Sequence, residues 1–160
     1  MKVVVKYNGE RIDELNEILL YLKGEGYDDF IIFSSFDASF SSLESEIFKY
    51  EVRAAYVKTP NIISTYDALK SIKGSLGESF LIVYSSEIEK FDLSDAHLYH
   101  KTTTELATLL STEKITAGIF LEAEVFDYMI EPKHFEREVI KRIFEDGDAS
   151  VYNVLSYEIY

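Results

Sequence analysis

The sequence predicts an α/β fold, a single domain over residues 1–160 with a mixed, mostly parallel sheet of about seven strands flanked by helices. Three observations carry this. Short unbroken apolar runs of β-branched and aromatic residues recur along the first half of the chain. Between them lie segments whose apolar residues repeat at helical spacing. The two kinds of segment alternate as βαβαβαβ, an order that implies parallel strands joined by helical crossovers, with any ligand site at the strands' carboxyl ends.

Taken in order, Lys2 to Val5 is the first buried strand, and Asn8-Gly9 turns the chain into a helix, Ile12 to Leu22. There Ile12, Leu15, Ile18, Leu19 and Leu22 form one face, and Gly24-Glu25-Gly26 ends the helix. Phe30 to Phe33 suits a strand covered on both faces. Asp37 to Phe48 reads as a Ser-capped amphipathic helix, Val52 to Val57 as a strand, Ile62 to Ile72 as a helix after Pro60, and Phe80 to Tyr84 as a fourth strand. In the second half, Leu93 to His100 is a helix and Glu105 to Leu110 and Ile115 to Leu121 are strands. Glu122 to Met129 and Phe135 to Phe144 are helices divided by Pro132, and Val151 to Ile159 is a closing strand. The expected ligand loops are therefore those after residues 5, 33, 57 and 84.

Composition narrows the function classes. The chain is 47% hydrophobic with 12 Tyr and 11 Phe, too apolar for disorder. Its 29 Asp and Glu outweigh 16 Lys and Arg, a formal charge of -13 that repels a phosphate backbone or an anionic membrane, so neither nucleic acid nor membrane is expected as a partner. There is no Cys, hence no disulfide framework and no thiolate ligand or nucleophile. Met1 to Val5 is far shorter than a signal sequence, and no apolar run reaches the ~20 residues of a membrane span, so the expected location is the cytoplasm.

Several strings resemble those of the sugar-phosphate nucleotidyltransferases, including the choline-phosphate cytidylyltransferase branch, and the resemblance covers nearly the whole chain. Asn8-Gly9-Glu10-Arg11-Ile12 is similar to that family's N/G-G-K-P-L/I turn, and Gly26-Tyr27-Asp28-Asp29-Phe30-Ile31 to its entry to the second strand. Asn61-Ile62-Ile63-Ser64 resembles the N-N-I-x-S motif of the choline-phosphate branch. Phe80 to Ser86 sits where the family has F-L-x-x-x-G-D. Asp92-Leu93-Ser94 with His97 to Lys101, and Thr116-Ala117-Gly118-Ile119-Phe120, match two further strings in order. The resemblance implies a GT-A type nucleotide-diphospho-sugar transferase architecture. It also implies nucleotide contacts at Tyr7, Asn8, Gly9, Arg11, Asn61, Ser64, Ser85 and Ser86.

The departures bear on chemistry. The family's glycine-rich phosphate loop is reduced to Lys6-Tyr7-Asn8-Gly9-Glu10-Arg11, with a single glycine. Ser85-Ser86 stand where the family places a metal-binding Asp, and hydroxyls alone hold Mg²⁺ poorly. The expected catalytic residues are therefore none, no resident metal or cofactor is expected, and the leading reading is a pseudoenzyme that binds a nucleotide or small phosphorylated ligand in a regulatory role. Two alternatives stay open. One is a minimal active nucleotidyltransferase, with Mg²⁺ held by Glu87 or a distal acid. The other is an assembly subunit that forms a homo-oligomer or docks on a catalytic partner protein through exposed Phe and Tyr.

Other signals have plainer readings. His97 and His100 share a helix face but lack the further ligands a zinc site wants. The pairs Glu44/Glu46, Glu87/Glu89 and Glu136/Glu138 read as solvated faces. Asn8, Asn61 and Ser64 serve equally as turn and cap residues. Tyr7, Tyr84 and Tyr157 form a candidate aromatic rim.

Overall fold

The computed structural model describes residues 1–8, 11–34, 53–58, 63–130 and 134–154. The expected helix Asp37 to Phe48 lies outside them. Seven strands form one sheet: β1 (Lys2–Lys6), β2 (Asp29–Ser34), β3 (Arg53–Lys58), β4 (Ser79–Val83), β5 (Ala107–Ser111), β6 (Thr116–Glu122) and β7 (Ala149–Asn153). Their spatial order is β3-β2-β1-β4-β6-β5-β7. Neighbours run parallel except at β6, which is antiparallel to both β4 and β5. The expectation of a seven-stranded, mostly parallel mixed sheet is met.

The pleat sends alternate side chains to opposite faces. Val3, Val5, Phe30, Ile32, Leu81 and Val83 pack against α1 (Ile12–Gly24), the 3-10 turn Ser86–Lys90 and α3 (Leu93–Thr103). Val4, Ile31, Phe33, Phe80 and Ile82 pack against α2 (Thr65–Ile72), the 3-10 turn Ala123–Tyr128 and the last helical segment. Both faces are therefore covered, and this is why the central strands read as continuous apolar runs rather than alternating ones. Among the described residues no helix is long and apolar enough to cross a membrane.

Local chemistry sets the ends. Asp13 and Glu14 sit in the first turn of α1, where the helix dipole favours anions, and Gly26 at φ +99° supplies the left-handed residue that releases the chain toward β2. Asp92 caps α3 by accepting the Asp95 N–H at 3.2 Å.

Several boundaries differ from the periodicity, and four of the segments concerned show the physical reason. The helix expected from Ile62 begins at Thr65, because Ser64 is its N-cap and accepts the Asp67 N–H at 3.1 Å. The helix expected over Glu122 to Met129 is a 3-10 turn, Ala123–Tyr128. Its start is tied to the sheet: Glu122 pairs with Ser79 in the ladder, and the Ala123 N–H donates to the Glu78 carbonyl at 2.7 Å. The helix expected over Phe135 to Phe144 is a π-helical turn, Phe135–Ile140, that runs into α4 (Lys141–Glu145). The wider turn lets Phe135, Val139 and Ile140 all reach the core and leaves Phe144 partly exposed. The closing strand starts two residues early, at Ala149, because the Leu106 N–H is held by the Asp148 carbonyl at 2.9 Å and by its carboxylate at 3.0 Å. The end of that expected strand, 155–159, lies outside the described residues.

The antiparallel insertion of β6 depends on one close approach. A Cβ placed on Gly118 would stand 2.6 Å from the Ile82 carbonyl oxygen and 3.1 Å from Ile88 Cδ1. The first obstacle is backbone, which cannot rotate away. Gly118→Ala is thus expected to lower the unfolding free energy by about 1–3 kcal/mol, the usual cost of overpacking, read from the midpoint of urea denaturation. Gly77→Ala, where a Cβ meets nothing within 4 Å, is the control that leaves the midpoint in place.

Candidate functional site

The chain moves from β1 outward to β2 and β3, then crosses back to β4 on the other side of β1 and continues away. The loops leaving β1 and β4 are neighbours at the carboxyl ends of these strands, where ligands of open α/β sheets commonly sit. Lys6, Tyr7 and Asn8 follow from β1, and Tyr84, Ser85 and Ser86 from β4. The pleat divides them between the two faces.

On the α1 face the organising group is Glu14. Its Oε2 lies 3.0 Å from the Tyr7 hydroxyl, and its Oε1 accepts from Ser86 Oγ at 3.2 Å. One carboxylate on the first turn of α1 thereby ties the two loops together. The Tyr7 hydroxyl shares its proton with the Arg11 carbonyl, 2.9 Å away, and accepts the Arg11 N–H at 3.3 Å. Burial, then the hydrogen bond to Glu14, push the Tyr7 phenol up to about 12.

On the α2 face the organising group is Glu136, in the first turn of the π-helical segment. Its Oε1 accepts from Thr65 Oγ1 at 2.7 Å and from the Tyr84 hydroxyl at 2.9 Å. Lys6 points to this face, and Glu136 acts on its ammonium electrostatically. Burial holds the Lys6 amine below its ordinary range, with the Glu136 charge opposing that shift. Burial alone would raise the Glu136 carboxyl, but hydrogen bonds from Thr65, the backbone and Tyr84, together with Lys6, leave it below the usual range. The Tyr84 phenol is raised, by burial first and by the Glu136 charge second.

The residues expected from the sequence divide accordingly. Tyr7 and Ser86 meet through Glu14. Asn8 is exposed beside them. The Arg11 guanidinium turns outward onto Asp13 at 2.6 Å. Ser85 accepts the Glu87 N–H at 3.1 Å and caps the turn Ser86–Lys90, and Ser64 caps α2. Gly9, Asn61 and Tyr157 lie outside the described residues. Sequence reasoning missed Glu14 and Thr65, and it read Glu136 as a solvated acid. Glu14 had one local signal, its place beside Leu15 on the first turn after the β1 loop. Glu136 had none, because its partners Thr65 and Tyr84 lie 71 and 52 residues away along the chain. Among the described residues no three His, Asp or Glu converge as a metal site.

The opposite end of the sheet holds a cavity of about 420 Å³ lined by Ser79, His100, Lys101, Glu105, Glu122 and Asp148. His100, with 2% of its surface exposed, bridges Thr108 Oγ1, 2.7 Å from Nδ1, and Glu122 Oε1, 3.0 Å from Nε2. Glu122 also accepts from Ser79 Oγ. Thr108 is fully buried, so the Thr-His-Glu chain locks α3 to the sheet and cannot present a nucleophile. Both His97 and His100 stack on Phe120, at 5.2 and 5.7 Å between ring centres.

The arrangement of strands has known counterparts. No family model matches the chain, and no curated protein matches it. Among solved structures it is similar to a nucleotidyl transferase from Methanothermobacter, at TM-score 0.64 and 11% identity over 96% of this chain and 87% of that one. It is similar to a 4-diphosphocytidyl-2C-methyl-D-erythritol synthase from Anaerococcus prevotii, at TM-score 0.66 and 8% identity over 98% and 88% of the two chains. It is also similar to the glucosyl-3-phosphoglycerate synthase of Mycobacterium tuberculosis, at TM-score 0.66 and 10% identity over 96% and 70%. At such identities the likeness is one of fold. The chain has the nucleotide-diphospho-sugar transferase-like fold shared by nucleotidyltransferases and GT-A type enzymes.

The buried imidazoles give a measurable pH dependence. Burial moves both His97 and His100 below the free imidazole value. For His97 the Lys101 and His100 charges add to that shift and Glu122 opposes it, whereas for His100 Glu122 and Glu105 oppose it. The unfolded chain thus binds more protons here than the native state. Their contribution to stability is full above about pH 6.5 and falls as pH drops through that value toward the lower native pKa values. With 3 His in the chain, NMR titration is expected to resolve His97 and His100 below 6.5, and Glu122→Gln to move His100 lower still.

Proposed function

We propose that this protein binds a nucleotide or related small ligand at the carboxyl ends of β1 and β4, and that it does so without nucleotidyl transfer, in a sensing or regulatory role. The fold favours that location, since ligands of open α/β sheets sit where winding reverses. The loss of transfer rests on one observation, the state of the side chains after β4. Ser85 is spent on its own turn, Ser86 on Glu14, and the Glu87 carboxylate on Lys90 at 2.7 Å. This is the position at which the enzymes that the sequence resembles place a metal carboxylate.

Attack of one phosphate on another crowds several negative charges within a few ångströms, and each pair at about 4 Å costs roughly 4 kcal/mol at an effective dielectric of 20 unless cations offset it. Here Lys6 is already set against Glu136, and Arg11 is bound to Asp13. The chain keeps the scaffold that positions a ligand but has redirected the groups that would neutralise a triphosphate.

Binding to the native state raises its stability by RT ln(1 + [L]/Kd), about 2.7 kcal/mol at a ligand concentration 100 times Kd. A thermal-shift series over nucleosides and nucleotides, with and without Mg²⁺, is expected to show a rise in Tm for at least one base that does not require Mg²⁺. An assay for pyrophosphate release with the common triphosphates and sugar or choline phosphates is expected to stay at background. Mg²⁺-dependent release that Glu87→Gln abolishes would establish a working transferase instead.

A further inference from the structure

We infer that this protein forms a two-fold symmetric dimer by antiparallel pairing of β7 with β7 of a second copy, which joins the two sheets into one. The inference goes beyond the ligand role proposed above and does not rest on it. It starts from the backbone of β7, which is the last strand of the sheet and has β5 as its neighbour on one side only.

The Ala107 N–H donates to the Asp148 carbonyl at 3.2 Å, and the Val154 N–H donates to the Ser111 carbonyl at 3.4 Å. Along a strand, successive residues turn their N–H and C=O groups to opposite sides. Asp148 and Val154 therefore fix the phase. Ser150 and Tyr152 face β5, and the N–H and C=O groups of Ala149, Val151 and Asn153 turn outward. Among the described residues no hydrogen bond reaches those outward groups. The Val151 side chain is 41% exposed, and Asn153 is exposed as well.

Such a row of backbone groups is complemented by another strand, and natural edges are commonly shielded by charge. At the other edge of the sheet, β3 begins on exposed Arg53 and its sequence ends on Lys58, so a copy paired there head to tail would set cation against cation. In contrast, β7 is Ala-Ser-Val-Tyr-Asn and carries no charge, in a chain whose residues are 28% charged.

A second copy fits this pattern. About a two-fold axis at Val151, Val151 exchanges both of its bonds with its counterpart and Ala149 pairs with Asn153 on either side, so every outward group is used. The acidic head of the strand, Asp146 and Asp148, is kept from its counterpart. Asp148 falls opposite residue 154 of the copy, which leaves the two Asp148 residues roughly 20 Å apart at the strand rise, about twice the screening length at physiological salt. Parallel pairing would instead stack these acids, in a chain whose net charge is already -13. On the face where Ala149 packs, Val151 meets its counterpart across the axis. On the other face Tyr152, held edge-on by Tyr99 at 5.3 Å, lies over Ser150 of the copy.

The test is sedimentation velocity of the full chain from about 1 to 500 µM in physiological salt, with amide hydrogen exchange followed by NMR at low and high concentration. The expected result is a shift from monomer to dimer that stops at the dimer, since a closed two-fold leaves no β7 edge free. The amides of Ala149, Val151 and Asn153 are expected to gain protection with concentration, whereas those of Ser150 and Tyr152 are protected throughout. Val151→Lys sets two cations together on the axis and is expected to weaken the dimer by about tenfold or more, with the circular dichroism of the monomer unchanged. Val151→Pro removes the central outward N–H without removing a donor to β5, and is expected to weaken the dimer similarly. A monomer at every concentration would overturn the inference, as would a dimer that Val151→Lys leaves intact or one in which the three outward amides stay unprotected. Protection of those amides that does not change with concentration would show the edge to be covered within one chain, and would overturn it too.

Discussion

The fold depends on the placement of β1. Val3, Val4 and Val5 are buried without interruption because the strand has a parallel neighbour on each side and a helical layer on each face. A strand so enclosed cannot be reached by extending the sheet in one direction only. The chain builds β2 and β3 on one side, and β4 must then be brought back across β1 to the other. That return places β1 and β4 side by side, so the loops after them meet at one end of the sheet, where Glu14 joins Tyr7 to Ser86. The antiparallel β6 then adds to β4 only because Gly118 lets its backbone approach the Ile82 carbonyl.

What the sequence revealed and what it concealed follow from the range of the interactions involved. Runs such as Phe30 to Phe33 and Phe80 to Tyr84 announce doubly covered strands, since burial on both faces removes the need for alternation. Ser64 and Asp92 mark helix starts through bonds that span three residues. Segments whose form is set by distant neighbours were misread. Ala123–Tyr128 has helical spacing, but its first residue is bound to Glu78 on the rim of β4. Phe135–Ile140 widens to a π-turn in order to place three apolar residues on a sheet face that local periodicity cannot see. The site divides in the same way. Tyr7, Ser85 and Ser86 stand at strand ends that are legible in the sequence, whereas Glu136 gains its place from Thr65 and Tyr84, which only the tertiary fold delivers.

The scaffold and the strand-end loops of this fold lie in different places, so one can change with little effect on the other. The core is held mostly by valines, isoleucines, leucines and phenylalanines between strand and helix, with few members, such as Tyr7 and Ile88, in the segments after β1 and β4. A loop can exchange a carboxylate for a serine with little effect on that core, and surface loops tolerate such change well.

Polar residues at the heads of these elements are engaged locally. Ser85 satisfies the Glu87 N–H at the head of a short turn, Ser64 satisfies the Asp67 N–H at the head of α2, and Arg11 neutralises Asp13 in the first turn of α1. Each is a polar group at a helix or turn start. Engaged in this way the two serine hydroxyls stabilise the ends of their own elements as acceptors, typically by ~1 kcal/mol for a cap. The same groups cannot also neutralise an incoming triphosphate without giving up that stabilisation. Local stability at these strand ends and neutralisation of a highly charged group therefore draw on the same side chains. The carboxylates of Glu14 and Glu136, anchored by four hydroxyls between them, lie on the side of stability.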